Sequence, residues 1–154
     1  MTRDGAGMKP LVRSALAGFA SGARSFSALA ACARTPGADG RIERLLHRTR
    51  VRRSLRSSAA FELLGDKLPV TPPRTQPPSV AGRVAFGALS GALVARRGGG
   101  RALAGALVGA TTSAAWTFAG PQYRAAVAAR AGNDLAGALG EDAAALALAH
   151  LAAR

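Results

Sequence analysis

From Ala102 to Tyr123 the chain runs for 22 residues without a charge. About 20 consecutive, mostly apolar residues are enough for an α-helix to cross the hydrocarbon core of a bilayer. No comparable uncharged run fits easily inside a soluble domain of this size, so this segment sets the reading of everything around it. It makes a membrane helix the strongest expectation in the sequence.

Other segments extend the pattern. From Lys9 to Ala31 the residues are mainly Leu, Val, Phe and Ala, but Arg24 stands in the middle. A secretory signal, with Ala31-Cys32-Ala33 as cleavage site, and a lipoprotein box at Leu29-Ala30-Ala31-Cys32 are both disfavoured by that arginine. An Arg- and Ser-rich organellar transit peptide is a minority option for the same stretch. Residues 57–68 are apolar apart from Glu62, Asp66 and Lys67, and five prolines between Pro69 and Pro78 end any helix there. Val80–Ala95 carries one charge, Arg83, and Leu135–Ala153 carries Glu141 and Asp142 near its start and His150 near its end. The expected division is an N-terminal tail over 1–13 and one membrane domain over 14–153, with an Arg-rich loop at 34–56 and a Pro-rich loop at 69–79. The expected fold class is all-α, an integral membrane bundle of four to five short Ala/Gly-rich helices.

Composition supports close packing of small side chains. Alanine contributes 38 of the 154 residues and aromatic rings only seven, so a conventional core of large side chains would be thin. Gly-x-x-x-Gly spacing occurs at Gly18/Gly22, Gly87/Gly91 and Gly105/Gly109, each inside an apolar segment. Small residues one turn apart let helix backbones approach in lipid, so these six glycines are read as packing positions, within one chain or in a homo-oligomer.

The net charge of +13 comes from 21 Lys+Arg against 8 Asp+Glu, with arginine accounting for 19 of the bases. Together with the Ala and Gly content this resembles GC-rich codon usage, which weakens the case for nucleic acid. The charge is also unevenly placed. Eight arginines fall within 34–56, and Arg96, Arg97 and Arg101 flank the glycines of the 96–101 turn. Lys/Arg-rich connections stay in the cytoplasm, and an even number of crossings then separates these two. That parity favours five crossings, with the N-terminus outside and the C-terminus inside. Ile42, Leu45, Leu46 and Leu55 suit an amphipathic basic helix on the membrane surface, which would place anionic lipid against Arg41–Arg56.

The stretch Gly18-Phe19-Ala20-Ser21-Gly22-Ala23-Arg24-Ser25-Phe26-Ser27, the run Phe61-Glu62-Leu63-Leu64-Gly65-Asp66-Lys67-Leu68-Pro69 and a proline-flanked Arg74 resemble a bacterial family of small multi-pass membrane proteins, domain of unknown function family 4126. Arg83–Ala95, Gly105–Gly109 and Glu141-Asp142-Ala143 extend the resemblance over about residues 14–153. Arg52, Arg53 and Arg56 depart from it, because the family's stretch before this Glu is apolar. The resemblance implies a membrane location and carries no established activity.

Ionisable groups within a membrane are expensive, about 2.5–3.5 kcal/mol each on insertion scales, so each one requires a partner or a purpose. Glu62 and Asp66, four residues apart, would share a helix face, with Arg24 as their counter-ion and Asp142 as a fourth member. This intramembrane cluster of Arg24, Glu62, Asp66 and Asp142 would line a small-solute or proton path, or only specify helix packing in a membrane-organising subunit. Cys32 is the sole cysteine and the two histidines, His47 and His150, lie far apart, so neither a disulfide nor a metal site is expected. Trp116 and Tyr123 read as interfacial anchors. No nucleophile-base pair or phosphate loop emerges, so no enzyme activity and no cofactor are expected. The alternative is a soluble basic protein binding nucleic acid through the 41–56 arginines, which leaves the Ala102–Tyr123 run unexplained.

Overall fold

In the computed structural model the uncharged run lies inside a longer helix. Residues 8–35, 37, 40–65 and 75–154 are described, the side chains of 63–65 excepted, and among them the only regular structure is helical. The helices are α1 (Pro10–Ala23), α2 (Ser27–Cys32), α3 (Arg41–His47), α4 (Thr49–Gly65), α5 (Pro77–Arg97), α6 (Ala102–Ala131) and α7 (Leu135–Ala153). Three of them, α5, α6 and α7, are long and apolar enough to cross a membrane. Among the described residues this fits a membrane protein, with fewer such helices than the four to five expected.

Local chemistry explains the boundaries. Pro77 and Pro78 open α5, where the missing amide hydrogen is not needed. Pro121 sits inside α6, which continues past Arg124 and Arg130 until Gly132 closes it at φ +73°. That left-handed conformation favours glycine. α1 begins at Pro10, within the stretch read as a tail, and much of the Arg-rich stretch 34–56 is helical as α3 and the start of α4.

The segment from Lys9 to Ala31 is not one crossing helix. α1 has 14 residues, which at 1.5 Å per residue is about 21 Å, short of the roughly 30 Å hydrocarbon core. The backbone turns extended at Arg24, and α2 starts at Ser27. α2 then doubles back. Pro10 packs against Gly98 and Gly100, and the Cys32 carbonyl accepts from Arg97 Nη2 at 2.9 Å, so both ends of the hairpin meet the end of α5. Its tip, residues 24–26, points to the opposite end of the bundle.

α5, α6 and α7 complete the packing around α1. A Cβ on Gly22 would fall 2.5 Å from the Ser113 carbonyl, one on Gly87 2.6 Å from that of Gly109, and one on Gly105 2.5 Å from that of Gly91. Gly18 and Gly91 likewise face Gly109. All six glycines of the sequence motifs thus meet in one three-helix seam of α1, α5 and α6. Small hydroxyls join it: Ser14 Oγ donates to the Gly91 carbonyl at 2.9 Å and Ser113 Oγ to the Arg83 carbonyl at 2.8 Å. The adjoining apolar core is mostly alanine, with Leu29, Leu46, Leu93, Val94 and the buried Cys32 as its larger members.

α4 connects the two ends. Glu43, just before it, pairs with Arg97, while Glu62 near its end reaches Ser25 at the hairpin tip. One end of the bundle therefore gathers Pro10, Cys32–Thr35, α3 and the Arg96–Arg101 turn; the other gathers residues 24–26, Pro77 and the α6–α7 turn.

Candidate functional site at the hairpin tip

The break between α1 and α2 leaves backbone groups that helical bonding would otherwise satisfy. Two side chains from other helices fill it. Arg83 Nη1 donates to the carbonyls of Gly22 (2.8 Å) and Ala23 (3.0 Å) at the C-terminal end of α1. Glu62 accepts from the Ser25 amide (Oε1, 2.8 Å) and the Phe26 amide (Oε2, 3.2 Å) at the entry to α2. The positive group thus meets exposed carbonyls and the negative one exposed amides, the favourable sense for helix ends. Arg83 Nη2 and Glu62 Oε1, 3.2 Å apart, close the arrangement as an ion pair.

Beside it Arg24 turns to α7. Its Nε donates to Asp142 Oδ1 at 2.7 Å, and Nη2 reaches the same oxygen. Arg24 is 2% exposed and Arg83 4%, so both guanidinium groups are withdrawn from solvent. At ordinary protein dielectrics such charges persist only when paired and hydrogen-bonded. Glu141, 1% exposed, accepts from the Trp116 indole at 3.0 Å. Trp116 stacks with Phe19 at 4.2 Å and Tyr123 at 5.9 Å between ring centroids, so its indole is committed within the bundle.

The four expected cluster residues fare differently. Arg24 and Asp142 come together as direct partners. Glu62 reaches the same tip, but its counter-ion is Arg83 and its bonds to residues 25 and 26 go to backbone. Asp66 lies outside the described residues. Arg83 and Glu141 are the members that the sequence reading passed over. A lone charge in an otherwise apolar helix was the available signal for Arg83, as it was for Arg24.

Below the tip, a cavity of 190 Å3 lies between α2 and α7, lined by Ser27, Ala31, Arg34, Thr35, Leu146, Ala149 and His150. Ser27 Oγ donates to the Arg24 carbonyl at 2.9 Å, and Leu146 lies one turn from Asp142. One end of the cavity therefore lies toward the tip, near the Arg24 backbone, and neither Arg24 nor Asp142 lines it. At its other end Arg34 and His150 are exposed. A second, apolar cavity of 340 Å3 between α1, α6 and α7 is lined by Phe19, Trp116 and Leu148 among others. No three or more His, Cys, Asp or Glu among the described residues are grouped to hold a metal ion.

Comparison with known families, with curated proteins and with solved structures finds no match.

Proposed function

We propose that the chain is a multi-pass protein of the bacterial cell (inner) membrane that provides a path for a small solute or protons past the hairpin tip. The observation carrying this reading is the cavity between α2 and α7, lined by Arg34 and His150 toward the basic end and by Ser27 and Leu146 toward the tip, Leu146 standing one turn along α7 from Asp142. Irregular backbone at membrane depth is tolerated where it is buried in protein or lines a cavity, and broken helices with charged partners are a recurrent way of building solute sites. The same features underlie the resemblance to domain of unknown function family 4126, and membership of that family is part of the proposal.

Four helices, α4 to α7, run between the two ends and form the proposed crossings, while α1 and α2 enter and return. Arginines on α4 near the basic end would reach the interface along their aliphatic stems. On this reading the basic end, which holds both Pro10 and Ala153, faces the cytoplasm, and α1 would enter the membrane from that side. Anionic lipid against Arg41–Arg56 belongs to the same reading. Recovery in the soluble fraction after lysis without detergent, together with salt-sensitive DNA binding, would overturn it in favour of the basic nucleic-acid-binding alternative.

Flux of protons or small solutes into proteoliposomes tests the path. Asp142→Asn and Glu62→Gln, recovered folded, are expected to lower flux at least about tenfold, the scale of losing one charge-assisted bond. A second reading, a membrane-organising subunit, is favoured by the close glycine seam and the pairing of the tip charges. Wild-type protein that passes nothing under any gradient while remaining folded supports that second reading and sinks the first.

A further inference from the structure

Each described acidic side chain already has a partner elsewhere. Glu43 pairs with Arg97, Glu62 with Arg83, Asp134 with Arg124, Asp142 with Arg24, and Glu141 accepts from Trp116. Arg34 and His150 face one cavity, and among the described residues neither side chain has a hydrogen-bonding or ionic partner. Thr35 adds a hydroxyl to the same rim, held by Arg97 Nη1 at 2.7 Å. One turn along each helix from them the lining is Ala31 and Leu146, with Ala149 between. A cationic rim over apolar walls suits an anion carrying an apolar or small organic substituent. At 190 Å3 the space is below the range of drug-sized sites, about 300–1,000 Å3, which restricts the occupant to a small group. Arginine offers forked donors matched to the oxygens of phosphate, and basic pockets between membrane helices on the cytoplasmic side are suited to phosphate head groups.

We infer that the cavity between α2 and α7 binds a phosphate group, free or on a lipid headgroup, through Arg34 and His150. The inference rests on reading this cavity as the mouth of the path, and it names the chemistry of what enters. Arg34 supplies the charge and His150 a second donor, while Leu146 and Ala149 accept the ester substituent.

The test uses the full chain purified in detergent, with thermal unfolding followed as inorganic phosphate, dihexanoyl phosphatidylglycerol or dihexanoyl phosphatidylcholine is added. Stabilisation by inorganic phosphate assigns a free anion; stabilisation by phosphatidylglycerol alone assigns the lipid headgroup. Either result, with an apparent Kd raised about tenfold in Arg34→Ala and in His150→Ala, supports the site. Arg34→Lys should restore part of the response, and Arg130→Ala, at the opposite end, should leave it unchanged. Equal responses to the two lipids without a response to phosphate, or a wild-type response in Arg34→Ala, would overturn the inference. If Arg34→Ala fails to fold, Arg34→Gln is judged by the same criterion. Flux is measured separately, so phosphate binding without transport removes the path and keeps the site, whereas transport without phosphate binding does the reverse.

Discussion

The tip and the basic end of the bundle are built from the same residue type and use it in opposite ways. At the tip, Arg24 and Arg83 are buried, each bonded to a carboxylate on another helix, Arg24 also to the Ala23 carbonyl and Arg83 to those of Gly22 and Ala23. At the basic end, Arg41, Arg44, Arg48, Arg50 and Arg53 are exposed. Ile42 and Leu45, 45% and 46% exposed, lie among them, as befits a surface that meets both headgroups and water. Arg97 stands between the two cases, with Glu43, Thr35 and the Cys32 carbonyl as partners at the basic end. At the tip a guanidinium becomes a structural tie because a carboxylate and backbone carbonyls converge on it. The exposed arginines of α3 and early α4 serve as surface charges.

Substitutions should separate the two regions by size of effect. Asp142→Ala leaves Arg24 buried without its carboxylate, and should lower stability by about 3–5 kcal/mol in chemical unfolding of the detergent-solubilised protein. The double variant Arg24→Leu/Asp142→Leu should recover most of that loss, because removing both charges also removes their desolvation cost. If the double variant is as unstable as the single one, the pair is not what holds the tip. Gly109→Ala drives a methyl against the α5 backbone at Gly87 and Gly91 and should cost about 1–3 kcal/mol, read in the same unfolding curves. Glu62→Gln keeps the shape but weakens charge-assisted bonds to Arg83 and the hairpin amides. A loss of about 1.5–3 kcal/mol is expected, with faster proteolysis between α1 and α2 as the specific sign. At the other end, Arg41→Ala or Arg44→Ala should change stability by less than about 0.5 kcal/mol. Both should reduce retention on anionic vesicles relative to zwitterionic ones. An unfolding effect there as large as that of Asp142→Ala would erase the contrast between the ends.

Much of this architecture was legible before any coordinates. The uncharged run marked α6, small-residue spacing marked the six glycines of the seam, and a charge inside an apolar stretch singled out Arg24 and Asp142. Such signals are local: they depend on composition and on spacing along one helix. The pairing was less legible. The expected cluster sets Arg24 at mid-depth as counter-ion to Glu62 and Asp66, with Asp142 as a fourth member; in the fold Arg24 bonds Asp142, 118 positions away, and Glu62 bonds Arg83. The reversal of the chain at residues 24–26 was not legible either, since apolar content carries no information about direction.

The sequence by itself determined that the chain is mainly helical, that several of its segments are apolar enough for a membrane, and that small residues and isolated charges would have to be accommodated. These follow from hydropathy and helix period, which each segment carries alone. Only the tertiary structure decided that the first apolar segment returns on itself, that the six glycines share one seam, and that Arg83 and Glu62 fill the break at the tip. Those outcomes depend on which helix ends and side chains meet in three dimensions, where unsatisfied backbone groups and buried charges choose their partners by proximity and not by order along the chain.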